Sequence, residues 1–358
     1  MTDTLVRSIS DDGKSASVAD FDGGRRVKAA LFGDTGPGGE TLDSIYGIKR
    51  LATLRQLTDM YPSVVTSRNL DACLASLTDL EVIFSTWGML PLTDSQLERL
   101  PYLRAVFYAA GSVQRFARPF LRRGITLVNA ASANAVPVAE FTLGQILLAN
   151  KGYFRNSLEC SGPGQYHTAF RGLGNYGTTI ALLGAGQIGR LLIELLQPFH
   201  LTILVFDPFL SQQDALILGV EKVTLQEAFL RGQIVSNHLA DNAATRNMLN
   251  GNLFEMMMPN ATFINTGRGA TLVEEDLISV LRKRPDLTVL LDVTEPEPPA
   301  PDSPLWTLPN VRLSSHIAGS IGNEVKRVAD VVIAEFHEWL LGRPLRNAVT
   351  EVMLQTMA

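Results

Sequence analysis

The chain has 358 residues, 46% of them hydrophobic and 19% charged, with a formal net charge of −5. That apolar share excludes a disordered or collagen-like chain, and at roughly 150 residues per domain the length implies about two domains. The mild acidity argues against a nucleic-acid partner, which calls for a basic surplus.

Residues 1–25 read as a flexible extension. The apolar run Val27–Phe32 ends in a Gly/Asp/Pro cluster and predicts a buried strand followed by a loop. Residues 80–84 and 103–108 repeat the pattern, with helix-like stretches between them, and 127–129 form a short strand entering a polar loop. Pro137 opens an apolar helix over 137–151, because proline is well tolerated in a first turn. A Gly-rich segment, 162–177, separates this region from a second strand–helix series. Its predicted strands are Thr179–Leu183, Thr202–Phe206, Ile234–Asn237, Thr262–Asn265, Thr288–Leu291 and Val311–Leu313. A final helix over about 321–341 carries Val325, Val328, Val332, Phe336 and Leu340 on roughly one stripe. Strands alternating with helices predict an α/β protein with mostly parallel sheets. The first division is one α/β unit over about 1–150, a second over about 151–320, and a C-terminal helix.

Two cysteines, Cys73 and Cys160, can build neither a disulfide framework nor a four-thiolate zinc site, and no metal is expected. No run approaches the ~20 uncharged apolar residues of a membrane span, and the polar N-terminus lacks a signal peptide's apolar stretch. A cytoplasmic chain with no membrane partner is therefore expected.

Chemistry concentrates at strand ends. Gly184-Ala185-Gly186-Gln187-Ile188-Gly189 lies between the strand TTIALL and the helix-like RLLIELLQPF, and Asp207 ends the next strand 18 residues after Gly189. Such glycines let a backbone approach a pyrophosphate at a helix N-terminus, and the carboxylate accepts from ribose hydroxyls. Asp207 would repel a 2′-phosphate, which predicts NAD rather than NADP. The Pro-containing clusters Gly36-Pro37-Gly38-Gly39 and Gly162-Pro163-Gly164 open no amphipathic helix and read as plain loops.

Asn265-Thr266-Gly267-Arg268-Gly269 follows the strand ATFI. Arg268 offers a planar fork suited to a carboxylate, or is a surface arginine in a turn. Asp292-Val293-Thr294-Glu295-Pro296-Glu297-Pro298 ends another strand in carboxylates on a proline-stiffened loop, or is simply a solvated acidic loop. His316, in Ser315-His316-Ile317-Ala318-Gly319, follows a third strand. Histidine is the natural acid–base group near neutral pH, and a Glu from the preceding loop would orient it. His238 reads as a cofactor-side or structural residue.

Taken in this order, with SPLWTLPNV before HIAG, the motifs resemble the D-isomer-specific 2-hydroxyacid dehydrogenases over most of the chain. NAASANAVPVAE, from Asn129 to Glu140, resembles the family's entry into its interdomain helix, and GRPLRNAV resembles its return to the first domain. The resemblance implies two Rossmann-like domains with a cleft between them and a flavodoxin-like substrate domain. The substrate domain would comprise 1–150 plus 321–358, and the NAD-binding domain 151–320. It also implies a homodimer.

Carried over residue by residue, Arg268 matches the substrate-binding arginine, His316 the acid–base histidine and Glu297 its partner, in preference to Glu295. Gly184, Gly186, Gln187, Ile188, Gly189, Asp207, Thr245, Thr266, Gly267, Asp292 and Gly319 match cofactor contacts. Gly111 and Ser112 match the loop whose N–H groups hold the substrate carboxylate. The implied activity is NAD-dependent interconversion of a D-2-hydroxy acid and its 2-keto acid. An NAD-sensing, corepressor-like scaffold on the same fold is the alternative.

Three departures stand out. Gln114 replaces the aspartate common after the substrate loop, Ser315 replaces a proline before the histidine, and the family's HxP has become His238-Leu239-Ala240. Trp87 falls near the position of an arginine in phosphoglycerate dehydrogenases, which argues against 3-phosphoglycerate and for an apolar or aromatic-lined pocket.

Overall fold

A computed structural model describes residues 26–169 and 171–357. The extension expected over 1–25 lies outside the described residues. The strands are β1 (Val27–Phe32), β2 (Thr58–Met60), β3 (Val82–Ser85), β4 (Ala105–Tyr108), β5 (Thr126–Asn129), β6 (Thr179–Leu183), β7 (Thr202–Phe206), β8 (Glu221–Lys222), β9 (Ile234–Asn237), β10 (Thr262–Asn265), β11 (Thr288–Leu291), β12 (Val311–Leu313) and β13 (Ala348–Val349). They build two sheets, ordered β13-β5-β4-β3-β1-β2 and β12-β11-β10-β9-β6-β7-β8.

The protein is therefore α/β, with Rossmann-like connectivity in both sheets. All pairs are parallel except β13 with β5. Parallel strands are covered on both faces, which is why they read as unbroken apolar runs. In the first sheet one face packs Ile45, Tyr46, Val328 and Phe336, and the other packs Leu74, Met89, Phe116 and Phe120. The second sheet is likewise enclosed, by Phe229, Phe254 and Leu277 on one face and Ile146, Leu192 and Leu196 on the other. The C-terminal helix Val325–Leu340 thus covers the first sheet, while the helix Ala131–Asn150 sends Ala139 and Ile146 into the second.

Strand order reverses between β1 and β3 in the first sheet and between β6 and β9 in the second. Ligands of open α/β sheets bind beyond the carboxyl ends of the strands at such switch points.

Two sequence expectations change. Pro137 does not open its helix but lies inside Ala131–Asn150. The turn before it is held from outside the helix. Asn129 Oδ1 accepts from Ala131 N, Ser132 Oγ donates to Asn347 Oδ1, and Ser320 N donates to Asn134 Oδ1. These bonds anchor the first turn independently of the donor that proline lacks. The last helix begins at Val325, and a single 3-10 turn, Gly322–Glu324, precedes it.

Candidate active site

The loop after β6 has the geometry of a dinucleotide cradle. Gly184 has φ +102°, and a Cβ there would meet the carbonyl of His238 at 3.0 Å. A Cβ on Gly189 would overlap Gly184 O, so this glycine lets the helix Gln187–Leu196 close on the strand. Gly186 faces open space, where no side chain would stand between the backbone and a bound pyrophosphate. Asp207 ends β7 with its carboxylate turned to this loop; Oδ2 accepts from Ala185 N and Oδ1 from Phe209 N, both at 2.7 Å. Gln187 is exposed and Ile188 half-buried at the helix start. The residues present fit a dinucleotide carrying an unphosphorylated adenosine ribose.

Across the switch point, β9 ends at Asn237, and His238 follows it. Asn237 Nδ2 donates to Asn265 Oδ1 and Thr271 Oγ1, tying the loops after β9 and β10 together. Gly267 closes the same junction; its N–H donates to Asn265 Oδ1, and a Cβ there would meet Asn237 O at 3.1 Å. The His238 ring lies between Ser236 Oγ and Thr266 Oγ1, at 2.9 and 3.4 Å. Burial pushes its pKa down to about 4, so the ring is neutral at physiological pH. Thr266 also meets Thr142 Oγ1 from the long helix, at 3.1 Å. Thr245 uses its hydroxyl within its own turn, donating to Ala240 O and accepting from Asn242 N.

Arg268, Glu297 and His316 come from three consecutive strand ends, β10, β11 and β12. Their approach requires Gly269, because a Cβ there would overlap the carbonyl of Thr294 on the Glu297 loop. Arg268 is half-buried, and Nη1 donates to Gly267 O at 2.8 Å. It has no ion pair among the described residues. Burial pulls its pKa down, opposed by the nearby charges of Glu297 and Asp241. His316 Nδ1 meets Glu297 Oε1 at 2.7 Å, which leaves Nε2 as the ring nitrogen free for a substrate. Both side chains remain partly exposed, as groups that meet a ligand must. Glu295 lies beside Glu274 instead, and burial with that like charge raises the Glu274 pKa.

His316 has φ +56°, a left-handed conformation uncommon for a side chain of this size. Asp292 holds it there. Its carbonyl accepts from His316 N, and its carboxylate accepts from Ile317 N, Ala318 N and Ser314 Oγ. Asp292, a cofactor contact by resemblance, is thus also the anchor of the histidine loop.

On the first sheet, the N–H groups of Gly111, Ser112 and Val113 have no protein acceptor among the described residues. Trp87 is half-buried after β3, and its Cβ would touch a Cβ placed on Gly36 at 3.0 Å. Asn134, which sequence reasoning missed, joins the two sheets. Besides Ser320 N, its side chain lies 3.2 Å from a Cβ placed on Gly319 and 3.5 Å from one on Gly111. Nothing in its local sequence signals a contact 186 residues away. Among the described residues no His/Cys/Asp/Glu cluster could hold a metal, and no helix is long and apolar enough to cross a membrane.

Fold and site together define a dinucleotide-binding protein of two parallel-sheet units. Residues 146–318 match the family model described as D-isomer specific 2-hydroxyacid dehydrogenase, NAD binding domain. A 2-hydroxyacid dehydrogenase by name, YoaD of Bacillus subtilis, is 30% identical over 276 residues, covering 74% of this chain and 77% of its own. The D-3-phosphoglycerate dehydrogenase of Methanocaldococcus jannaschii is 28% identical over 288 residues, covering 80% of this chain and 55% of its own. The chain spans about half the length of such phosphoglycerate dehydrogenases. Among solved structures, D-mandelate dehydrogenase of Rhodotorula graminis shares the fold with a TM-score of 0.74 at 20% identity, over 91% of this chain and 98% of its own. The chain belongs to the D-isomer-specific 2-hydroxyacid dehydrogenase family, and its cofactor is NAD.

Proposed function

We propose that the protein interconverts a D-2-hydroxy acid and its 2-keto acid. The observation that carries this reading is a half-buried arginine with no ion pair among the described residues, Arg268, set beside the Glu297–His316 pair. Arg268 binds the substrate carboxylate and polarises the 2-keto oxygen, and the free N–H groups of Gly111 and Ser112 take the carboxylate from the first sheet. His316, with Nδ1 held by Glu297, delivers a proton from Nε2 to the keto oxygen during reduction. Glu297 stabilises the imidazolium before transfer and keeps the ring oriented. Bound NADH supplies the hydride to C2.

In this reading 1–150 with 321–358 form the substrate unit and 151–320 the nucleotide unit. Closure of the two units excludes water. Asp207 selects NAD over NADP. Trp87, an uncharged ring on the substrate side, favours an apolar or aromatic acid over 3-phosphoglycerate. The active form is a homodimer.

The test is NADH oxidation with a panel of aliphatic, aromatic and phosphorylated 2-keto acids. An aliphatic or aromatic acid is expected to turn over, and His316→Asn to lower kcat by about 10²–10⁴-fold. If no acid is reduced and His316→Asn changes nothing, the enzyme reading fails, and NADH-dependent capture of a protein partner becomes the question.

A further inference from the structure

Gln114 lies two residues beyond Ser112, at one of the positions where the sequence departs from the family pattern. Its amide Nε2 donates to Leu354 O and to Met357 O, each at 2.8 Å. Both acceptors belong to the segment after β13, which makes a single 3-10 turn, Met353–Gln355. Neither carbonyl accepts from a backbone N–H among the described residues. Leu354 is buried in the same apolar cluster as Val113 and Phe116, and Met357 packs against that cluster. Arg122, on the helix that follows the loop, approaches Glu351 to 4.0 Å. One side chain therefore gathers two carbonyls that no backbone N–H among the described residues engages, and an apolar contact seats the segment beside it.

The loop it touches needs such support. A carboxylate-binding loop must keep its own N–H groups free, so backbone pairing of those groups cannot fix its position. Here Gly111 O takes Asn129 Nδ2, and the far end of the loop is tied through Gln114 and the buried Val113. An aspartate at 114 would be one methylene shorter and, ionised, would have no donor for either carbonyl.

We propose that residues 350–357, clasped by Gln114, form a strap that sets the position of the Gly111–Ser112 loop. Gln114 is then a positioning residue for the substrate carboxylate. The proposal rests on the reading of that loop given above.

The experiment compares the full-length wild type with Gln114→Glu, Leu354→Ala and the double variant. Gln114→Glu preserves size while removing both donors. Two readouts are taken: amide hydrogen exchange at Phe116 and Ala117, whose N–H groups donate to Val113 O and so report on the loop, and KM for the keto acid beside KM for NADH. Exchange at these two amides is expected to accelerate in Gln114→Glu. Keto-acid KM should rise about tenfold, as expected for loss of roughly one to two hydrogen bonds, while NADH KM holds within about twofold. The double variant should do no more than the larger single one, since both cut one strap.

A fall in melting temperature with unchanged exchange and unchanged KM would make the contact merely structural and overturn the proposal. Faster exchange without a change in keto-acid KM, or fully additive effects, would overturn it as well. Should Leu354→Ala fail to fold, Gln114→Glu decides alone. Exchange needs no turnover, so a wild type that reduces no keto acid refutes the activity while the strap is still judged by exchange.

Discussion

At the scale of single residues, the site separates two histidines by environment. His316 is partly exposed and paired with Glu297, whereas His238 is closely surrounded and bonded to neutral hydroxyls. No carboxylate offsets burial at His238, so its pKa falls from the ordinary 6.5 to about 4. The sign of the consequence follows. Below pH 6.5 the unfolded chain takes up a proton that the folded chain refuses until about pH 4. His238 thus contributes stability that is complete above 6.5 and is lost as pH falls through that interval, at most about 3 kcal/mol. His238→Gln should remove this slope while keeping a polar group near Ser236 and Thr266. Chemical denaturation of both proteins from pH 7.5 to 4 measures it. A stability difference between them that stays constant with pH would refute the assignment.

At the scale of elements, the proposed catalytic geometry depends on how closely three loops approach. Gly269 matters here more for its missing Cβ than for its backbone freedom. Gly269→Ala would drive a methyl into the Thr294 carbonyl, and the 292–298 loop would have to retreat, taking Glu297 from His316. Overpacking of this kind costs typically about 1–3 kcal/mol. The expected outcome is a kcat at least about tenfold lower, the rate loss of displacing an orienting partner by a fraction of an ångström, with NADH affinity nearly unchanged. Stopped-flow turnover beside fluorescence titration of NADH checks the split, and equal losses in both would place the damage in the cofactor domain.

The same scale explains what the sequence reveals. Strands β6, β7, β9, β10 and β11 are legible to the residue, because each is an apolar run paired on both sides and stopped by a polar loop, and the edge strand β12 is legible because Val311 and Leu313 stand between a Pro-Asn turn and a Ser-Ser loop. Strands β2, β8 and β13 are not, since an edge strand of two or three residues pairs on one side and needs no apolar run. Arg268, Glu297 and His316 are legible because they directly follow readable strands. Asn134 and the partners of Gln114 are not, because contacts across 186 and 240 residues leave no local pattern.

At the scale of the molecule, one region is poorly explained by a single chain. The helix Tyr153–Glu159 has no buried residue, and its neighbourhood exposes Leu148, Tyr153, Leu158, Tyr166, Leu173 and Tyr176. Short helices draw their stability from packing an apolar face rather than from propensity. This seven-residue helix packs Phe154 against the core of the second sheet but leaves Tyr153 and Leu158 about half exposed. Large apolar side chains exposed this densely along the chain are characteristic of an interaction face. The proposed homodimer would account for it, since in a twofold dimer the same patch supplies both halves of the contact. The patch adjoins the long helix that reaches the second sheet, so its occupant would brace the nucleotide unit and leave the cleft free to close. Sedimentation equilibrium is expected to give a dimer for the wild type and a monomer for Tyr153→Glu combined with Leu158→Glu. The variant should retain NADH binding, because neither residue belongs to the nucleotide cradle. Wild-type monomers, or a double variant that still dimerises, would remove this face from the assembly.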